Sequence, residues 1–306
     1  MTMSRSGWRK RLARAAVILP PYAWLAAFFL LPFVIVLRIS LSDPASAQPP
    51  YRPLFDWTGG WDALMAFLGA LDLENFETLA SDSLYWEAAI SSVTIALVST
   101  VLLLLIGYPV AYGMARAAPR LRPLLVALVI LPFWTSFLIR VYAWIAILKP
   151  EGLLNQFLLA LGLISDPLTI LNTPTAVYIG VVYAYLPFMI LPLYAALERL
   201  DWTLVEAAQD LGSPPWKAFW TVTLPLSLPG VVAGSLLCFI PIVGEFVVPD
   251  LLGGSDTLMI GRTLWSEFFS NRDWPLASAV AVVLLLIVVI PIVFYREIEA
   301  RRWEAR

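Results

Sequence analysis

The sequence predicts an all-α membrane protein with six transmembrane helices, and three observations carry that expectation. The 306 residues are 60% hydrophobic and only 14% charged, with a mean hydropathy of +0.81, more apolar and less charged than soluble domains. The apolar residues gather into runs long enough to cross a hydrocarbon core of about 30 Å. Basic residues cluster at alternate ends of those runs, as the positive-inside rule asks.

Residues 1–16 form a basic tail with Arg5, Arg9, Lys10, Arg11 and Arg14 and no acid. The apolar run 17–41 follows, roughly 37 Å of helix at 1.5 Å per residue. Ala45-Ser46-Ala47 resembles a signal cleavage site. The run is nevertheless longer than the usual 7 to 15 apolar residues of a signal sequence, roughly counted, which favours a retained anchor. Residues 42–84 read as a polar extracytoplasmic loop holding Asp43, Asp56, Asp62, Asp72, Glu74, Glu77 and Asp82 against Arg52 alone. Such a loop either draws cations and a protein partner electrostatically or is simply solvated. Within it, 61–71 is apolar but too short to span and reads as an interfacial helix.

The second span covers 85–114 and ends in Arg116, Arg120 and Arg122. The third, 124–148, contains Pro132 and one charge, Arg140. The apolar stretch 153–164 is too short to cross. The fourth span, 175–197, includes Pro187 and Pro192, and the fifth, 226–248, includes Pro229, Pro241 and Glu245. A sixth, 275–295, leads into the tail 296–306 with Arg296, Arg301, Arg302 and Arg306. Prolines in the fourth and fifth spans free backbone groups that only protein or water can satisfy, so both should face the bundle interior. With both termini cytoplasmic, most of the 20 Lys and Arg fall in cytoplasmic segments. Counting 153–164 as a span would reverse the later loops and spoil that agreement.

Several chemistries are disfavoured. There is no histidine, so the commonest general base and metal ligand is missing. The single cysteine, Cys238, lies in an apolar run and reads as a buried hydrophobe. No Gly-Lys pair occurs, hence no phosphate-binding P-loop. We expect no catalytic residue, no metal site, no cofactor bound by this chain and no nucleic-acid partner. An ion-gradient transporter would need its own coupling-ion site, and Arg140 and Glu245 are a thin basis for one.

The loop 199–225 interrupts this pattern. Thr203-Leu204-Val205-Glu206 reads as a capping box that starts a short helix near Thr203. Gly212 suits the left-handed position that ends it, and Pro214-Pro215 cannot continue it. Residues 216–222 can form a second short helix before Pro225 opens the next span. Glu206, Ala207, Ala208, then Gly212, then Val222 with Leu224-Pro225 at fixed spacing resemble the signature of binding-protein-dependent ABC importer permeases. Val222 stands where that family usually has Ile. The resemblance implies a type I ABC importer permease bundle, with the last five helices as its core and the first as an added helix. It also implies that Glu206, Ala207, Ala208, Asp210 and Gly212 form a cytoplasmic coupling helix docked on a separate ATPase dimer, which binds ATP and Mg.

Four further stretches resemble the polyamine permeases, most closely the putrescine type. They are residues 131–144 (Leu131-Pro132-Phe133-Trp134 through Trp144), 182–189 (Val182-Tyr183-Ala184-Tyr185), 243–254 (Val243-Gly244-Glu245 through Gly254, including Asp250) and 271–275 (Asn271-Arg272-Asp273-Trp274-Pro275). This resemblance implies a bacterial inner-membrane complex with a second homologous permease, the ATPase and a periplasmic polyamine-binding protein. A diamine needs carboxylates or aromatic faces to replace water around its ammonium groups. Trp134, Tyr183, Tyr185, Glu245 and Asp250 are therefore candidate pathway residues. An ion pair between Arg140 and Glu245, bolting two helices together or gating the path, is the competing expectation for those two. Permeases for iron, oxyanions or other small solutes share the coupling loop and remain alternatives, although an anion carrier would present cationic groups rather than Glu245.

Overall fold

The computed structural model describes residues 5–54, 59–255 and 257–304, with side chains described from residue 15 onward except 291 and 294–304. The basic side chains of both termini, Arg5 to Arg14 and Arg296 to Arg306, and the acid Asp56 lie outside that description. The described chain is helical apart from one two-stranded ribbon. It divides by internal packing into two units, residues 1–83 with 264–306 and residues 84–263.

In the first unit, a helix that begins at Arg5 contains the apolar stretch α1 (Ala15–Ile39), which has no buried residues within its most apolar window. An apolar surface this continuous suits lipid rather than water. Strands β1 (Asp43–Pro44) and β2 (Tyr51–Arg52) pair antiparallel. Helices α2 (Gly60–Gly69) and α3 (Glu74–Ser81) follow, the former close to the interfacial helix expected at 61–71. Buried Asn75 on α3 donates to the carbonyls of Ser40 (3.1 Å) and Ser42 (2.8 Å), which closes the otherwise open end of the preceding helix. The last helix of the chain, Trp274–Glu304, packs on 31–39 in this unit.

The second unit begins with α4, which runs Ser83–Arg116. The third span is not one rod. Helix α5 (Arg122–Trp134) and the helical stretch beginning at Phe137 are bent by 86°. Pro132 and the extended backbone of Thr135 (ψ 153°) and Ser136 (ψ 138°) make the break. The Thr135 hydroxyl donates to the Pro132 carbonyl at 2.8 Å, which satisfies a group freed there. Helices α6 (Phe137–Leu148) and α7 (Leu153–Ala160) follow. Asn155 then pins the next loop by exchanging hydrogen bonds with Leu168 at 2.8 and 2.9 Å.

Helix α8 (Pro174–Glu198) starts at a Thr173 cap. It packs along α10 (Pro215–Val243), and small residues let the two backbones approach. A methyl group on Gly230 would lie 2.5 Å from Ala196 Cβ and 2.9 Å from the Pro192 carbonyl oxygen, and one on Gly234 would lie 2.9 Å from Met189 Sδ. Between α8 and α10 lies α9 (Thr203–Asp210). The expected fifth span, 226–248, is displaced: α10 starts at Pro215 and stops at Val243, and α11 (Val247–Leu252) and α12 (Ile260–Trp265) follow. Glu245 therefore sits in a break between helices, not inside a span. Four described helices are long and apolar enough to cross a membrane, five if the bent pair counts as one. The last helix adds a shorter apolar part, Trp274–Ile290, so six membrane segments are compatible with the structure.

Candidate functional site

The loop 199–225 folds into a helical hairpin with its own small core. Leu200, Val205 and Ala218 are buried, and Trp202, Ala208 and Val222 pack against them. Helix α9 starts at Thr203 as expected, but Asp201 provides the cap. Its Oδ1 accepts from the Thr203 N–H (3.1 Å) and from the Thr203 hydroxyl (2.8 Å), so the Thr203–Glu206 capping box does not form. At the other end Gly212 has φ +86°, its N–H donates to the Gln209 carbonyl (2.8 Å), and the Ser213 N–H donates to the Ala208 carbonyl (3.0 Å). That pair of bonds is a Schellman closure, which needs the left-handed residue that glycine supplies.

No separate second helix forms after Pro215. Residues Pro215–Ala218 run through a π turn, Phe219–Thr223, straight into the membrane helix. A wider turn relieves the clash between the Pro225 ring and the carbonyl four residues earlier. The exposed side of the hairpin presents Leu204, Glu206, Ala207, Asp210 and Trp216, with Leu211 88% exposed at the tip.

Aromatic contacts fix the hairpin to the neighbouring helices. The Arg116 guanidinium lies 4.9 Å from the Trp202 ring, Tyr112 meets Trp202 edge-on at 5.7 Å, and Tyr108 meets Phe219 at 5.4 Å. The Tyr108 and Ser227 hydroxyls are 2.7 Å apart. On α8, Tyr194 donates to Glu198 Oε1 at 2.6 Å, and Arg122 pairs with the same oxygen at 3.7 Å. Nothing in the sequence singles out Trp202, because aromatic residues are common along the whole chain. Trp202→Ala removes one aromatic pair and one cation–π contact, and should lower stability by about 1–2 kcal/mol in a thermal unfolding assay in detergent.

The second candidate region surrounds Glu245, which is 8% exposed. Its Oε1 accepts from the backbone N–H groups of Phe246 (3.2 Å), Val247 (3.0 Å) and Val248 (3.4 Å). Oε2 accepts from the Tyr185 hydroxyl at 2.6 Å. The expected ion pair with Arg140 is not formed. The Arg140 guanidinium instead lies 5.0 Å from the Phe133 ring and 5.7 Å from the Phe137 ring, and its Nε has no hydrogen-bond partner. A line of rings runs between the two charges, since Tyr185 approaches Phe188 at 6.0 Å and Phe188 meets Phe133 edge-on at 5.2 Å.

The other candidates diverge. Tyr183, two residues from Tyr185 and thus on another face of α8, packs edge-on against Trp144 at 5.3 Å. Trp134 is 80% exposed at the break in the third span. Asp250 pairs with Arg262 at 3.2 Å, which neutralises it locally. In the first unit, the acidic loop brings Asp43, Asp72 and Glu74 together, all exposed.

Residues 104–303 match the family of binding-protein-dependent transport system inner membrane components, and the chain belongs to that family. It is 42% identical over 276 residues, 90% of each chain, to the spermidine/putrescine transport system permease protein PotB of Haemophilus influenzae. The protein of the same name from Escherichia coli is 43% identical over 223 residues, 73% of this chain and 81% of its own. Among solved structures, a bacterial ABC transporter that imports the acidic polysaccharide alginate shares the fold, with a TM-score of 0.66 at 18% identity over 96% of this chain and 98% of that one. The chain is thus an ABC importer permease by family and fold.

Proposed function

We propose that this chain is a permease subunit of an ATP-driven importer that carries a polyamine, putrescine in the first place, from a periplasmic binding protein to the cytoplasm. The observation that carries this reading is the 42% identity, over 90% of both chains, to a spermidine/putrescine permease. The fold does not choose the cargo, because a transporter of an acidic polysaccharide shares it.

In this reading the hairpin and both termini lie in the cytoplasm, with a second permease beside this one. Two ATPase subunits, which bind ATP and Mg, grip the exposed side of the hairpin at Glu206, Ala207, Asp210 and Leu211. Ala208 and Gly212 shape the hairpin rather than touch the partner. When the ATPases close on ATP, the hairpin moves as one piece because its core holds it together. The pathway then opens outward to receive the amine.

The test is reconstitution in proteoliposomes with the neighbouring operon products and radiolabelled putrescine, spermidine and an oxyanion. Amine accumulation should require ATP and survive an uncoupler. Oxyanion uptake, or amine uptake that collapses with the uncoupler while ATP stays high, would refute the proposal.

A further inference from the structure

We propose that Glu245 is a positioning residue, whose carboxylate splices the broken fifth span and latches Tyr185. The inference deepens the transport reading and rests on it. A carboxylate has about four acceptor positions, two on each oxygen, and here three backbone N–H groups crowd onto Oε1 while the phenol takes one position on Oε2. Oε1 is thereby committed to the backbone and Oε2 to the phenol. The nearby basic residues are engaged elsewhere, Arg140 on the Phe133 and Phe137 rings and Arg262 on Asp250.

What the carboxylate does follows from where the chain breaks. Helix α10 ends at Val243, and the first N–H groups of α11 have no partner within their own helix. Inside a membrane protein water does not reliably satisfy them, and Glu245 does. Its other oxygen holds the Tyr185 hydroxyl, and the Tyr185 backbone carbonyl in turn meets the Cys238 thiol at 3.6 Å. The Glu245 side chain thereby ties α8 to the start of α11, the Cys238 contact adds α10, and the latch orients the ring that continues to Phe188 and Phe133.

Geometry and charge make opposite demands at such a position. Glutamine loses the charge but keeps an oxygen for the three N–H groups, and the Tyr185 hydroxyl can rotate to accept from its amide. Aspartate keeps the charge but is shorter by one carbon–carbon bond, about 1.5 Å, and cannot reach both partners.

The test uses the whole complex in proteoliposomes, with initial rates of labelled putrescine uptake. Glu245→Gln should stay within about 3-fold of the native rate, while Glu245→Asp and Glu245→Ala should fall at least about 10-fold. Aspartate matching or exceeding glutamine, or equal loss in both, would overturn the proposal. A second measurement is independent of cargo. Cys238, the only cysteine and fully buried, should react slowly with a membrane-permeant maleimide in the native complex and in Glu245→Gln. It should react at least about 10-fold faster in Glu245→Asp. Equal labelling in every variant would refute the latch. If the native complex carries no amine, the cargo assignment fails, and the order of Cys238 labelling still decides the role of Glu245.

Discussion

Gly212→Pro is expected to abolish ATP-driven uptake while leaving the permease inserted and assembled with its membrane partner. Proline fixes φ near −65°, roughly, whereas Gly212 has φ +86°. It also removes the N–H that donates to the Gln209 carbonyl. The Schellman closure cannot form, and the cost of about 3 kcal/mol or more falls on a hairpin whose own core contains only a few residues. Leu211, adjacent and almost fully exposed, loses its place at the tip. Asparagine tolerates the left-handed region, so Gly212→Asn should keep most of the activity. Glu206→Arg tests the same surface without strain, because Glu206 is exposed on α9. Both Gly212→Pro and Glu206→Arg should lose the stimulation of ATP hydrolysis by loaded binding protein. Normal uptake in either would refute the coupling assignment.

Gly230→Val should have the largest effect on the fold itself. Its first added carbon would already stand 2.5 Å from Ala196 Cβ and 2.9 Å from the Pro192 carbonyl, with Leu193 Cα at 3.3 Å. Two of those three neighbours are backbone atoms, which cannot swing aside as a side chain would. The two further methyl groups of valine force α8 and α10 apart along the seam where Met189 and Leu193 are fully buried. We expect a loss of about 3 kcal/mol, read as a lower unfolding temperature and reduced monodisperse yield in detergent. Gly230→Ala should show the same effect at roughly half the size. An unchanged unfolding temperature in Gly230→Val would mean that the seam is not packed as described.

The membrane spans and the hairpin were legible because both rest on local signals. Long apolar runs, basic flanks and a glycine beside two prolines need no tertiary contact to be read. The breaks were hidden for the same reason. Thr135-Ser136 and Gly244-Glu245 lie in apolar surroundings, so hydropathy averaged over a window passes across them. Pro132 is visible, but a proline inside a span does not by itself mark a break. The start of α9 misleads because Thr203 and Glu206 have capping-box spacing, while Asp201 two residues earlier takes the Thr203 N–H. The partners of Arg140 and Glu245 could not be read from charge alone. Opposite signs suggest a pair, but aromatic rings satisfy the guanidinium, and backbone amides with a phenol satisfy the carboxylate.

The unbroken passage from hairpin to span bears on how far a small stroke travels. A 29-residue helix is about 43 Å long at 1.5 Å per residue, with no loose joint at its driven end. Treated as a lever, it turns a tilt of about 5° at the hairpin into a sweep of about 4 Å at Val243. Side-chain gaps are of that size, so a modest nudge from outside the membrane suffices to open or shut them.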